Sequence, residues 1–176
     1  MSKDIEASTA AKILINVLLT RGKVFSVVES ITGGLIGSLI TDIPGSSKIF
    51  WGSLVTYSDA SKQKILGIKN DTIQTYSAVS REVVELMAKN VLKLSDSDVS
   101  LAVSGYAGGN NDANEDTGLV WIAVKLKKGM VFSRKFNFTG SRDSIRRKTA
   151  TVGILLAETA LRQPERLDSC SFWQYS

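Results

Sequence analysis

The stretch KVFSVVESITGGLIGSLI, residues 23–40, sets a short β-branched run before a polar turn with paired glycines, and a second apolar run behind that turn. The first run reads as a buried strand from Lys23 to Glu29, and the second as a helix from Gly33 to Thr41. A strand-to-helix turn of this kind presents backbone N–H groups and lets a side chain project over the sheet edge. Ser30 at its centre is therefore open to three readings: part of a phosphate cradle, a nucleophile on a sharp elbow, or a residue of a tight connection.

Working outward, Ala11, Ile13, Leu14, Val17 and Leu18 recur at helical spacing between Ser8 and Thr20, and Gly22 supplies a stop. After the loop DIPGSS, FWGSLVTY predicts a second strand from Phe50 to Tyr57. Ser58 and Asp59 are suited to capping the helix ASKQKILG, which Gly67 ends. Beyond a polar loop, Ser80 caps a longer helix with Val83, Val84, Met87, Val91 and Leu94 on one face. DVSLAVSG predicts a third strand, followed by the long polar loop YAGGNNDANEDTG. LVWIAVKL and MVFSRKFNF form a hairpin, and a last helix runs from Ser141 to Leu161. Strands alternating with helices predict a three-layer α/β/α fold, and the hairpin makes its mostly parallel sheet mixed.

A chain of 176 residues, 43% hydrophobic with two prolines, suits one globular domain over residues 1–176. No apolar window is long enough to span a membrane, and MSKDIEASTAAK lacks the apolar segment of a signal peptide. A lone cysteine, Cys170, fits a reducing cytoplasm. The net charge of +5 is not accompanied by aromatic residues along a basic stripe, so nucleic-acid binding is not expected. The sequence contains no histidine, which excludes every imidazole-dependent triad and makes a zinc site improbable. No cofactor is expected. A hydrolase built on this chain would need Lys, Tyr, Asp or Glu as its general base.

In open α/β sheets, ligands gather at the carboxyl ends of strands. Three such ends are polar: Glu29-Ser30-Ile31-Thr32, Tyr57-Ser58 and Ser104-Gly105. Ser30 is either a turn residue or a nucleophile, and the second role needs an activator. Lys62, five residues after Tyr57, lies about one turn into the next helix and is either solvated or turned back to the same mouth. A lysine acts as a base only if burial or nearby positive charge lowers its pKa. Tyr57 could hydrogen-bond a substrate or merely end a strand, and Glu29 could accept from a ligand or pair with a cation. Gly33 and Gly34 permit close backbone approach and could leave N–H groups near Thr32 for an oxyanion. Arg142 and Arg146, four residues apart, share a helix face and could grip a phosphate or remain in solvent.

Taken together, ESITGG, PGSS, VTYSDASK, AVS, SGYAG and GSRDSIRRKT occur in an order that resembles the CinA C-terminal domain family, the nicotinamide-nucleotide amidases. The resemblance covers about residues 8–162 and leaves a tail, 163–176, in which Phe172, Trp173 and Tyr175 form an apolar end. It implies hydrolysis of nicotinamide mononucleotide, a small-molecule nucleotide, to nicotinate mononucleotide and ammonia in pyridine-nucleotide recycling, with a Ser-Lys mechanism and no metal. It also implies Ser30 as nucleophile, Lys62 as base, and Tyr57 and Ser104 assisting them. Glu29, Thr32, Gly33, Gly34 and Gly105 would then border the substrate, and Arg142 or Arg146 would meet phosphate. Family members often self-associate, so a homo-oligomer is expected, and many carry a further N-terminal domain. The chain departs from the family pattern at residues 106–117, where Tyr106 replaces a small aliphatic residue. The alternative reading is a catalytically inactive family member that binds a nucleotide.

Overall fold

The computed structural model describes residues 7–108, 116–129 and 131–167. Strand β1 (Phe25–Glu29) runs parallel to β2 (Phe50–Val55) on one side and to β3 (Val99–Gly105) on the other. The sheet continues through β4 (Leu119–Leu126), antiparallel to β3, and β5 (Val131–Asn137), antiparallel to β4, giving the order β2-β1-β3-β4-β5. Only β4 therefore runs against the common direction, so the sheet is mixed as expected, with two parallel and two antiparallel pairings. All of β1 is buried, as the continuous apolar run of a central parallel strand requires.

Helices cover both faces. On one lie α1 (Ala7–Arg21), α2 (Leu35–Thr41) and α6 (Arg142–Arg162), packed on Phe25, Val27, Leu101 and Val103. On the other lie α3 (Asp59–Leu66), α4 (Asn70–Tyr76) and α5 (Arg81–Ser95), where Val28 and Ala102 meet Val83, Val84 and Met87. The period of two along each strand assigns every residue to one face. Glu29 therefore points toward α2, whereas Ser30 and Ser104 continue the face that carries α3 and α5.

Three local differences from the sequence reading have physical causes. Gly33 and Gly34 adopt left-handed conformations (φ 60 and 96), so α2 begins at Leu35 and not at Gly33. The strand after DIPGSS ends at Val55, leaving Thr56 and Tyr57 in the connection to α3. Helix α4 replaces an expected loop; among its residues only Ile73 is buried, so no apolar period marked it. Residues 109–115 of the polar loop, Cys170 and the aromatic end of the tail lie outside the described residues.

Candidate active site

Ser30 leaves the end of β1 with its N–H donating to Val103 O at 3.0 Å, which extends the β1–β3 ladder by one residue. It is 8% exposed and lies beside Ser104 of β3. Opposite them, α3 starts at a capping box: Ser58 Oγ accepts from Ser61 N at 3.2 Å, and Ser61 Oγ accepts from Ser58 N at 3.1 Å. That start fixes the helix rotation which carries Lys62 inward, to 1% exposure. Lys62 Nζ lies 3.3 Å from Ser30 Oγ and donates to Thr56 O at 3.0 Å. Burial lowers the Lys62 pKa from the usual lysine value, and the negative charge of Asp59 partly opposes that shift. Sequence separation had left open whether this lysine faced solvent or the mouth; it faces Ser30.

Ser104 Oγ donates to Ala78 O at 2.8 Å in the segment before α5, and is not hydrogen-bonded to the Ser30–Lys62 pair. Tyr57 is 60% exposed, and its hydroxyl accepts from Arg142 Nη2 at 2.9 Å, while Arg142 Nη1 donates to Gly108 O at 2.9 Å. The Arg142 guanidinium thus leans on two neutral oxygens and has no carboxylate partner among the described residues. Gly105 sits where an added Cβ would meet Leu119 O at 2.7 Å and Ile31 Cδ1 at 3.0 Å, so β4 and the Ser30 turn close on it.

Glu29 is fully buried and holds the start of α2. Its Oε2 accepts from Gly34 N at 2.9 Å and Ile36 N at 3.1 Å; its Oε1 accepts from Gly37 N at 2.9 Å and Ser53 Oγ at 2.7 Å. A carboxylate there suits the partial positive charge of a helix N-terminus. Arg146 Nη2 donates to Thr32 O at 2.7 Å, tying α6 to the same turn. Gly33 N donates to Ser30 O at 3.1 Å. Of the turn's backbone donors, those of Gly33 and Gly34 are therefore engaged internally, whereas Ile31 N and Thr32 N have no intramolecular acceptor among the described residues.

Ser30, Lys62, Tyr57, Ser104, Gly105 and Arg142 border one cavity of about 840 Å³, within the range typical of small-molecule sites. Glu29, Thr32, Gly33, Gly34 and Arg146 lie outside its lining and shape the turn that carries Ser30. Sequence reasoning missed Thr56, whose carbonyl positions Lys62, and Ser53, which completes the Glu29 cage; both read only as residues at a strand. Thr56 Oγ1 and Thr32 Oγ1 are buried without a partner among the described residues. Ser77 was also missed: it ends α4 at φ 74 and ψ 149, a conformation costing a non-glycine residue about 1–3 kcal/mol. Among the described residues no cluster of His, Cys, Asp or Glu could hold a metal ion, and no helix is long and apolar enough to cross a membrane.

Fold and site together describe an α/β protein with a buried serine–lysine pair under the carboxyl ends of its parallel strands. The profile of the CinA C-terminal domain matches residues 7–161, and the chain belongs to that family. A CinA-like protein of Endomicrobium trichonymphae is 46% identical over 154 residues, which is 87% of this chain and 36% of that protein. This chain thus spans about a third of that relative's length. The nicotinamide-nucleotide amidohydrolase PncC of Enterobacter agglomerans is 41% identical over 147 residues, covering 83% of this chain and 88% of that one. The crystal structure of the competence/damage inducible protein CihA from Agrobacterium tumefaciens superposes with a TM-score of 0.84 at 33% identity, covering 89% of this chain and 96% of that one.

Proposed function

We propose that this protein is an amidohydrolase that deamidates nicotinamide mononucleotide, with Ser30 as nucleophile and Lys62 as its base. The observation that carries this reading is the Lys62 amine, buried and 3.3 Å from Ser30 Oγ at the floor of the cavity. Burial favours the neutral amine, whose lone pair takes the Ser30 proton as Oγ attacks the carboxamide carbon. The oxyanion of the tetrahedral intermediate is met by the N–H group of Ile31, which lines the cavity and has no acceptor among the described residues. Collapse breaks the C–N bond while the Lys62 ammonium returns the proton to the leaving nitrogen, so ammonia departs and the acyl group stays on Ser30. Water then attacks that ester with Lys62 again as base, releasing the carboxylate and restoring the hydroxyl.

Arg142, which lines the same cavity and has no carboxylate partner among the described residues, receives the phosphate. The name of the Enterobacter agglomerans relative supports this substrate class. Ammonia release from nicotinamide mononucleotide by the wild type, and its loss in a folded Ser30→Ala variant, tests the reading. Equal release by Ser30→Ala removes the nucleophile assignment. Saturable nucleotide binding by the wild type without ammonia release replaces the enzyme with a binding module.

A further inference from the structure

The segment from Ser104 to Gly108 leaves the end of β3 along one wall of the cavity, and alternate residues of it reach across. Ser104, buried beside Ser30, donates to Ala78 O. Tyr106, 40% exposed, places its hydroxyl 3.3 Å from Ser77 Oγ. Gly108 O accepts from Arg142, which also reaches Tyr57. Positions 104, 106 and 108 thus bring three kinds of group into one lining: a buried serine beside the nucleophile, a pair of exposed hydroxyls, and a guanidinium.

The middle pair is built, not incidental. Tyr106 is clamped through its backbone, its N–H donating to Leu119 O at 2.9 Å and its carbonyl accepting from Gly118 N at 2.7 Å. Ser77 holds a conformation that glycine adopts far more easily, and its carbonyl accepts from Ser80 Oγ at 2.8 Å. The hydroxyl–hydroxyl contact is long and solvent-facing, and each group can both donate and accept. A ligand bearing two adjacent hydroxyls can replace that contact with one hydrogen bond to each partner.

With the carboxamide at Ser30 and the phosphate at Arg142, the two hydroxyls of the same lining are left for the sugar that joins them; this step rests on the amidase reading for the direction in which the substrate lies. We infer that Tyr106 and Ser77 form the specificity-determining contact for the vicinal diol of the substrate's ribose. The pair selects a riboside over a carboxamide or phosphate that lacks the diol.

Titration calorimetry in the Ser30→Ala protein, which keeps the ligand intact, compares nicotinamide mononucleotide with its 2′,3′-dideoxy analogue. Two hydrogen bonds predict a preference for the diol of about tenfold. Ser77→Gly and Tyr106→Phe should each reduce that preference to about threefold or less, leaving the affinity for the dideoxy analogue unchanged. Ser77→Gly suits the local backbone, so it should melt no lower than its parent, and loss of folding does not mimic the expected result. An undiminished preference in both variants overturns the inference, as does failure of the parent protein to bind either ligand. Ammonia release by the Ser30 protein is read separately. A diol preference that depends on Ser77 but comes without ammonia release keeps the sugar site and removes the amidase.

Discussion

Exchanging Glu29 for Gln turns one carboxylate oxygen into an amide nitrogen inside a cage of four donors. The less costly flip puts nitrogen toward Gly37 and Ser53, because the Ser53 hydroxyl can rotate to accept. Gly37 N–H then loses its partner, a charge-assisted bond worth about 1.5–3 kcal/mol. Gly34 and Ile36 keep an acceptor that is no longer charged, a loss of about 1 kcal/mol each. Burying an amide in place of a carboxylate offsets part of this, leaving a net cost of about 2–4 kcal/mol. For a chain of this size that lowers Tm by about 5–15 °C. Because Glu29 immediately precedes Ser30, the same change should lower kcat more than it raises KM. Thermal unfolding followed by circular dichroism, with steady-state ammonia release, measures both. A Tm within about 1 °C of wild type, combined with a raised KM at constant kcat, would refute the reasoning and make Glu29 a substrate contact.

Lys62→Met should lower kcat by about 10²–10⁴-fold while the protein stays folded, and near-wild-type turnover would require another base. On the proposed mechanism Lys62 acts as the neutral amine, so activity should rise with pH through its lowered pKa; Asp59→Asn removes the opposing charge and should move that rise to lower pH. The same shift governs stability. Between the lowered folded pKa and the ordinary unfolded value, the unfolded chain binds more protons, so stability should increase with pH in that window; urea titrations at several pH values check the sign. Arg142→Gln should raise KM for nicotinamide mononucleotide about tenfold or more and leave the dephosphorylated riboside little affected, and equal losses for both would detach Arg142 from phosphate. Gly105→Ala drives a methyl toward Leu119 O and Ile31, and should cost about 1–3 kcal/mol in denaturant unfolding with a loss of kcat.

The sheet and most helices were legible because their apolar periods are strong and their ends carry Gly, Ser or Pro. KVFSVV, short and β-branched, read as a buried strand, and the last helix was placed within a residue of its observed span, Arg142–Arg162. Helix α4 was not legible, since a helix that buries Ile73 alone has no period to read. The candidate nucleophile and base were named from a turn and a motif, but the facing of Lys62 depends on the rotation of α3 about its axis, which the capping box and the packing of Leu66 fix only once the sheet exists. Glu29 shows the limit most clearly. Adjacent to Ser30 in sequence, it suggests a shared site, yet the alternation of a strand sends the two side chains to opposite faces. By itself, then, the sequence determined the layers, the order of the elements and the residue types at the strand ends. Only the tertiary structure decided which polar groups face the cavity and which cap a helix from beneath. Those choices depend on partners up to 114 residues away, as with Arg146 and Thr32, whose contact no local pattern encodes.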